Sequence, residues 1–246
     1  MLAINKVIAI LALQFFSLHV DASIVLQGTR LIFPSDRKTI SIQAVNHSEQ
    51  SALAQSWVDE GNVDSTPETT NAPFIVTPPM TKISAHEGSQ IRIQYIGDEL
   101  PKDRESVFYL NVLDISPKPR DKANLNVLQL ALQTRIKLFY RPIELTEKPE
   151  NIINKVKFYS ENQSLNINNP SPYFLNISEL YMENNQSTPI AKSLMVAPFS
   201  IHKINYKNLS NTNIVIIYID DRGDFITYKT MINNKQGSPV KLPICC

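Results

Sequence analysis

The chain reads as an all-β protein made of two β-sandwiches in series. Short runs alternate apolar and polar side chains at the two-residue period of a half-buried strand, with Pro- and Asn-rich turns between them. No stretch of ten or more residues has the apolar spacing of an amphipathic helix. The texture changes after Tyr140-Arg141-Pro142, where Ile143–Asn154 is rich in Glu, Pro and Asn and reads as a linker with a short turn.

Residues 1–22 read as an export leader: Lys6 is the positive start, Val7–Leu13 with Phe15-Phe16 the apolar centre, and Val20-Asp21-Ala22 ends in a small residue suited to cleavage. The apolar run is shorter than the roughly 20 residues that span a bilayer, and no later segment qualifies as a span. The mature chain is expected to begin near Ser23, exported and not inserted in a membrane.

The first sandwich is expected over residues 23–141. Ile24–Phe33 is an apolar-rich run holding Thr29 and Arg30, and Thr39–Asn46 alternates Ile40, Ile42 and Ala44 with Ser41, Gln43 and Val45. Leu53–Asp59 holds the only tryptophan, Trp57, and Phe74–Thr77 is stopped by Pro78-Pro79. Met80–Ile83, Gln90–Ile96 with Ile91, Ile93 and Tyr95, and the strongly β Ser106–Ile115 follow. Last comes Val127–Tyr140, with Leu128, Leu130 and Leu132 on one face and Gln129, Ala131 and Gln133 on the other. Such a long regular strand is either buried within a sheet or presents an open edge to another chain. The second sandwich is expected over 142–246, from Val156–Ser160, Ser164–Asn168, Tyr173–Met182, Lys192–Val196, Ser200–Asn205, Asn213–Ile219 and Phe225–Met231.

Composition excludes several functions. The net charge is +1, so the chain has no basic field for nucleic acid. There is no Gly-rich phosphate loop and no nucleophile elbow, and the four histidines are scattered, so neither a metal nor a cofactor is expected. Asp220-Asp221 is a carboxylate pair, but neighbours in a strand point to opposite faces. No residues can be given catalytic roles, and the protein is read as a non-enzyme. The only cysteines, Cys245 and Cys246, are adjacent; a bridge between neighbours is strained, so they either pair with another molecule or stay reduced. Asn-x-Ser sequons stand at Asn46, Asn162, Asn176, Asn185 and Asn208. They mark glycans in a eukaryotic secreted protein and are chance in an Asn-rich bacterial one.

The segment Leu100–Pro117 resembles the signature of the periplasmic pilus-assembly chaperones, the PapD-like family. The matching residues are Leu100, Pro101, Asp103, Arg104, Glu105, Ser106, Phe108, Tyr109, Asn111, Ile115 and Pro117, with Ser116 in place of the first of two usual prolines. Further pieces match in order: Gly28–Phe33, Val45–His47, Ala54–Val58, Phe74–Pro79, Leu128–Pro142 and Asn169–Phe174. The ordered set spans nearly the whole mature chain and is identified as that of the family.

The resemblance implies two immunoglobulin-like domains set at an angle, and a periplasmic chaperone that lends its edge strand to pilus subunits and hands them to an outer-membrane usher. Leu128, Leu130 and Leu132 would then fill the subunit's groove, each worth roughly 1.5–3 kcal/mol when buried; the alternative is that they face this chain's own core. Arg30 and Lys137 match the residues that anchor the subunit's C-terminal carboxylate. Glu105, Arg141 and Asp221 match an interdomain charge network, with Asp220 an alternative to Asp221. The short Ser116–Asn126 connection resembles that of the short-loop subclass, which serves rod-like pili. The free edge could also pair two copies of the chain. The rival reading is a secreted two-domain adhesion or scaffold module.

Overall fold

A computed structural model describes residues 23–97, 99–115, 117, 130–161, 163–206 and 212–232. It is almost wholly β. The first half holds β1 (Ile24–Leu26), β2 (Arg30–Pro34), β3 (Thr39–Asn46), β4 (Ala52–Asp59), β5 (Phe74–Thr77), β6 (Met80–Ile83), β7 (Gly88–Tyr95), β8 (Ser106–Ile115) and β9 (Ala131–Arg141). A single 3₁₀ turn, Pro149–Asn154, occupies the predicted linker. The second half holds β10 (Lys157–Glu161), β11 (Ser164–Asn169), β12 (Leu175–Met182), β13 (Ala191–Val196), β14 (Ser200–Asn205), β15 (Thr212–Ile219) and β16 (Phe225–Ile232).

Each half forms a two-layer sandwich. In the first, sheet β1-β3-β7-β5 faces sheet β2-β9-β8-β4-β6; in the second, β10-β11-β14 faces β13-β12-β15-β16. Alternate residues of each pair of sheets close a separate core. Phe33, Ile91, Ile93, Leu110 and Leu138 lie at the centre of the first. Leu165, Ile167, Leu180, Ile214 and Ile216 lie at the centre of the second.

Two expectations are corrected. The run Ile24–Phe33 is two strands, because β1 pairs with β3 of one sheet while β2 pairs with β9 of the other. The crossing is made at Gly28, whose φ of 148° a side chain rarely tolerates. The polar stretch Gln27–Arg30 inside the run marks the break. Asp220 and Asp221 lie beyond the end of β15 in a turn, not within a strand. Asp220 Oδ1 accepts from the backbone N–H groups of Arg222 and Asp224, which leaves Asp221 to point elsewhere.

Asn46 and Asn176 are buried, and the Asn46 amide donates to the carbonyls of Gln50, Ile83 and Ser84, so neither can accept a glycan as folded. Leu128, Ser116, Asn162, Asn208, Cys245 and Cys246 lie outside the described residues, as does the 116–126 connection apart from Pro117.

Candidate functional site

The site is built on β9. All of it except Arg141 pairs with β8, from Ala131 opposite Ile115 to Tyr140 opposite Ser106. On its other side β2 runs parallel and covers only Lys137–Arg141. Among the described strands, nothing pairs with that side over Ala131–Ile136, so this half of β9 presents free backbone donors and acceptors. Both sequence alternatives therefore hold in part: β9 is buried mid-sheet at one end and an open edge at the other.

The even-numbered side chains form one row. Leu138 is fully buried and Ile136 is buried at 8% exposure, whereas Leu132 is 41% and Leu130 62% exposed. The core row of the domain thus runs past its own core into solvent. A fold gains nothing by exposing two leucines in line with its core.

The odd-numbered face of the same half is clamped. Arg135 donates from Nε and Nη2 to both oxygens of the buried Asp59, at 2.9 and 2.6 Å. Asn111 donates to Asp59 at 2.6 Å, and Gln133 donates to Asn111 at 2.9 Å. The Arg135 guanidinium lies 3.6 Å from the centre of the Tyr109 ring, a cation–π contact. Burial pushes the Asp59 carboxyl up, but the bonds from Arg135, Asn111 and Gly61 outweigh it and hold it below its ordinary value. With Gln133 and Arg135 fixed on one face, Leu132 and Leu130 can only point from the other.

Arg30 and Lys137 face each other across the β2–β9 pairing, where β2 stops covering β9. Lys137 Nζ donates to Asn176 Oδ1 at 2.7 Å, and Arg30 Nη1 donates to the carbonyl of Ile219 at 3.1 Å. Both acceptors are neutral and both belong to the second sandwich. Arg30 Nε is buried without a hydrogen-bond partner. Burial lowers the Lys137 ammonium below its ordinary value, and the charge of Arg30 lowers it further. Burial also lowers Arg30, against the opposing pull of Asp221 and Asp220.

Beside this pair lies a closed network. Arg141 Nε donates to Glu105 Oε1 at 2.7 Å, while its two terminal nitrogens donate to Asp221 at 2.6 and 2.9 Å. The second oxygen of Glu105 accepts from the backbone N–H of Phe174 at 2.9 Å, and the Glu105 N–H donates to the carbonyl of Pro172 at 2.9 Å. Burial raises the Glu105 carboxyl more than its partners lower it. Arg141 is drawn down by burial but held above its ordinary value by Asp221 and Glu105. The turn carrying Asp221 comes so close to the first sandwich that a Cβ on Gly223 would stand 2.5 Å from Thr29 Oγ1. Arg30, Phe139, Arg141, Asn176, Tyr218 and Ile226 help line a cleft of about 500 Å³ between the sandwiches.

Sequence reasoning missed Asn176, Asp59 and the clamp role of Arg135. Asn176 was visible only as part of a sequon. Asp59 ended a strand like any surface carboxylate, and its cationic partner lies 76 residues away.

Family models match both halves: "Pili and flagellar-assembly chaperone, PapD N-terminal domain" over residues 23–146, and "Pili assembly chaperone PapD, C-terminal domain" over 151–230. The probable fimbrial chaperone YehC of Escherichia coli K12 is 36% identical over 226 residues, 91% of this chain and 94% of that one. The crystal structure of the CupB2 chaperone of Pseudomonas aeruginosa superposes with a TM-score of 0.73 at 30% identity, covering 85% of this chain and 100% of the other. The Salmonella enterica SafB chaperone, solved in complex with the SafA pilin, gives a TM-score of 0.74 at 25% identity, covering 87% and 98%.

Proposed function

The chain belongs to the PapD-like family of pilus-assembly chaperones, and on that premise we propose that it captures pilus subunits in the periplasm by lending them the open half of β9 and passes them to an outer-membrane usher. The observation that carries this is the leucine row that leaves the core beside an unpaired strand edge. A subunit lacking its final strand has the complementary defect, an open groove edged by free backbone groups. Pairing along Ala131–Ile136 satisfies both edges, and Leu132 and Leu130, with Leu128 beyond them, fill the groove.

Arg30 and Lys137 receive the subunit's C-terminal carboxylate. An ammonium with two donors to spare and a guanidinium with an orphaned buried N–H suit an anion in a partly dry cleft. Because the anchor stands where β2 begins, it sets the register of the incoming strand. Leu132 and Leu130 lie five and seven residues before Lys137, about 17 and 23 Å along an extended strand. A slip of one residue would turn every groove side chain to the wrong face. Glu105, Arg141 and Asp221 fix the angle between the domains, divided at Arg141-Pro142, and so set where the second domain stands opposite the anchor. The process uses no catalytic residue, metal or cofactor. The family's short-loop subclass fits the 116–126 connection, and the free edge could pair two copies in the absence of a subunit.

The test is co-expression with a candidate pilin followed by pull-down. Arg30→Ala and Lys137→Ala are expected to lose the subunit, and normal retention by both would sink the carboxylate anchor. Leu130→Glu is expected to lose capture while the free protein melts as before; unfolding would return the leucine to this chain's own core.

A further inference from the structure

Ser23 and Ile24 converge on one carboxylate. Asp114, at the end of β8, is 6% exposed and lies on the core-facing row with Leu110 and Val112. Its Oδ2 accepts from the Ser23 backbone nitrogen at 3.0 Å, from the Ile24 N–H at 3.1 Å and from the Ser23 hydroxyl. Its Oδ1 is buried with no partner. Among the described residues no lysine, arginine or histidine bonds to it. A carboxylate this deep without a cation is costly, and one with an orphaned oxygen more so.

Ser23 is held from the other side as well. Its carbonyl accepts from the His47 N–H at 2.7 Å, and the residue is only 9% exposed. A peptide nitrogen at Ser23 offers Asp114 one N–H and no charge, and must carry a further chain out of a covered position. A free amino terminus there offers three N–H donors and the missing positive charge.

We propose that Asp114 is a built receptor for the α-ammonium of Ser23, and that the Ala22–Ser23 bond is the processing site that creates it. This rests on the export reading. Cleavage by a leader peptidase breaks the C–N bond and consumes one water: the hydroxyl goes to the Ala22 carbonyl, the hydrogen to the Ser23 nitrogen, which takes a further proton from solvent. The new ammonium pins β1 to the end of β8. In register Asp114 stands opposite Leu132, at the base of the lent strand. Processing thereby completes the frame of the subunit-binding edge, and the uncut precursor has a less stable one.

Two experiments separate this from the export reading. Intact-mass analysis of protein recovered from the periplasm is expected to place the amino terminus at Ser23; a start elsewhere overturns the processing site, while an uncut chain held in the cytoplasm overturns export itself. Independently, the full mature chain is prepared with a free Ser23, with Nα-acetyl-Ser23 and with one added alanine. The free form is expected to melt roughly 5 °C above the other two, and the gap is expected to close in Asp114→Asn. Equal midpoints, or the same gap in both backgrounds, overturn the receptor. In the unaltered chain the α-amine is also expected to be acylated at least about tenfold more slowly than that of a Ser-Ile peptide, and an equal rate overturns the receptor without need of a variant.

Discussion

Two clusters of charge sit side by side between the sandwiches and are finished to different degrees. Arg141 spends its guanidinium on two carboxylates, Glu105 and Asp221, and the far oxygen of Glu105 is taken by a backbone N–H. Lys137, on the same strand as Arg141, and Arg30, opposite it on β2, reach only neutral oxygens of Asn176 and Ile219. Together the five groups carry three positive and two negative charges, one carboxylate short of balance. The closed cluster behaves as structure. Asp221 and Asp220 steady Arg30 by their charge, but among the described residues no carboxylate bonds to either cation of the open cluster, and the proposed anion site rests on that gap.

The contrast is sharpest when one cation is removed from each. Arg141→Ala leaves Glu105, whose side chain is 2% exposed, as a buried charge with no counter-ion. A loss of about 3–5 kcal/mol is expected, read as a thermal midpoint lower by ~10 °C. Lys137→Met keeps the apolar stem and removes a charge that burial and Arg30 already disfavour. Its midpoint is expected to stay within about 1 kcal/mol of the parent or to rise, while subunit capture is lost. Equal destabilisation by the two variants would break the distinction between them.

The same contrast marks what could be read from residues alone. The β9 strand was legible because its leucines keep period two, and Arg30 and Lys137 stood out because they sit inside apolar runs; Glu105, Arg141 and Asp221 read alone as surface charges, and only the family resemblance made them visible. Their pairing was not legible: Glu105 lies 36 residues from Arg141 and Asp221 lies 80, and strand alternation says nothing about contacts between sandwiches. The break at Gly28 was signalled by polar Gln27–Arg30, but which sheet each half joins is a matter of long-range pairing. The clamp of Arg135 on Asp59 and the bonding of Ser23 to Asp114 bridge elements that only the folded sheet brings together. The openness of half of β9 depends on where β2 begins, a property of pairing and not of any one residue.

A milder probe is pH. Lys137 is a base whose folded value lies below its ordinary 10.5. Between the lowered value and 10.5 the unfolded chain binds more protons, so stability rises with pH across that window. Affinity for a peptide ending in a free carboxylate moves the opposite way, falling as Lys137 loses its proton, at a lower pH than an ordinary lysine would. Titration calorimetry from about pH 7 to 11 is expected to show this decline, to show none for Lys137→Arg, which stays charged throughout, and to show no pH-dependent binding of an amide-capped peptide. A decline that begins only in the ordinary lysine range would remove the lowering of Lys137 by burial and by Arg30 together.

The smallest effect is expected at the residue both clusters share. Asp221 is bonded to Arg141, and its charge also steadies Arg30. Its side chain is 40% exposed, so water screens the pair. Asp221→Asn is expected to cost about 0–1 kcal/mol in thermal unfolding, far less than Arg141→Ala, because Glu105 still holds the guanidinium. Its consequence for binding separates two ways of being useful. If Asp221 acts through its charge, removing it leaves the cleft more positive, and affinity for a carboxylate rises about two- to fivefold. If it acts by fixing how the domains meet, the anchor shifts off register and affinity falls. The Arg30–Lys137 pair, fixed by β2–β9 pairing and not by Asp221, favours the first outcome.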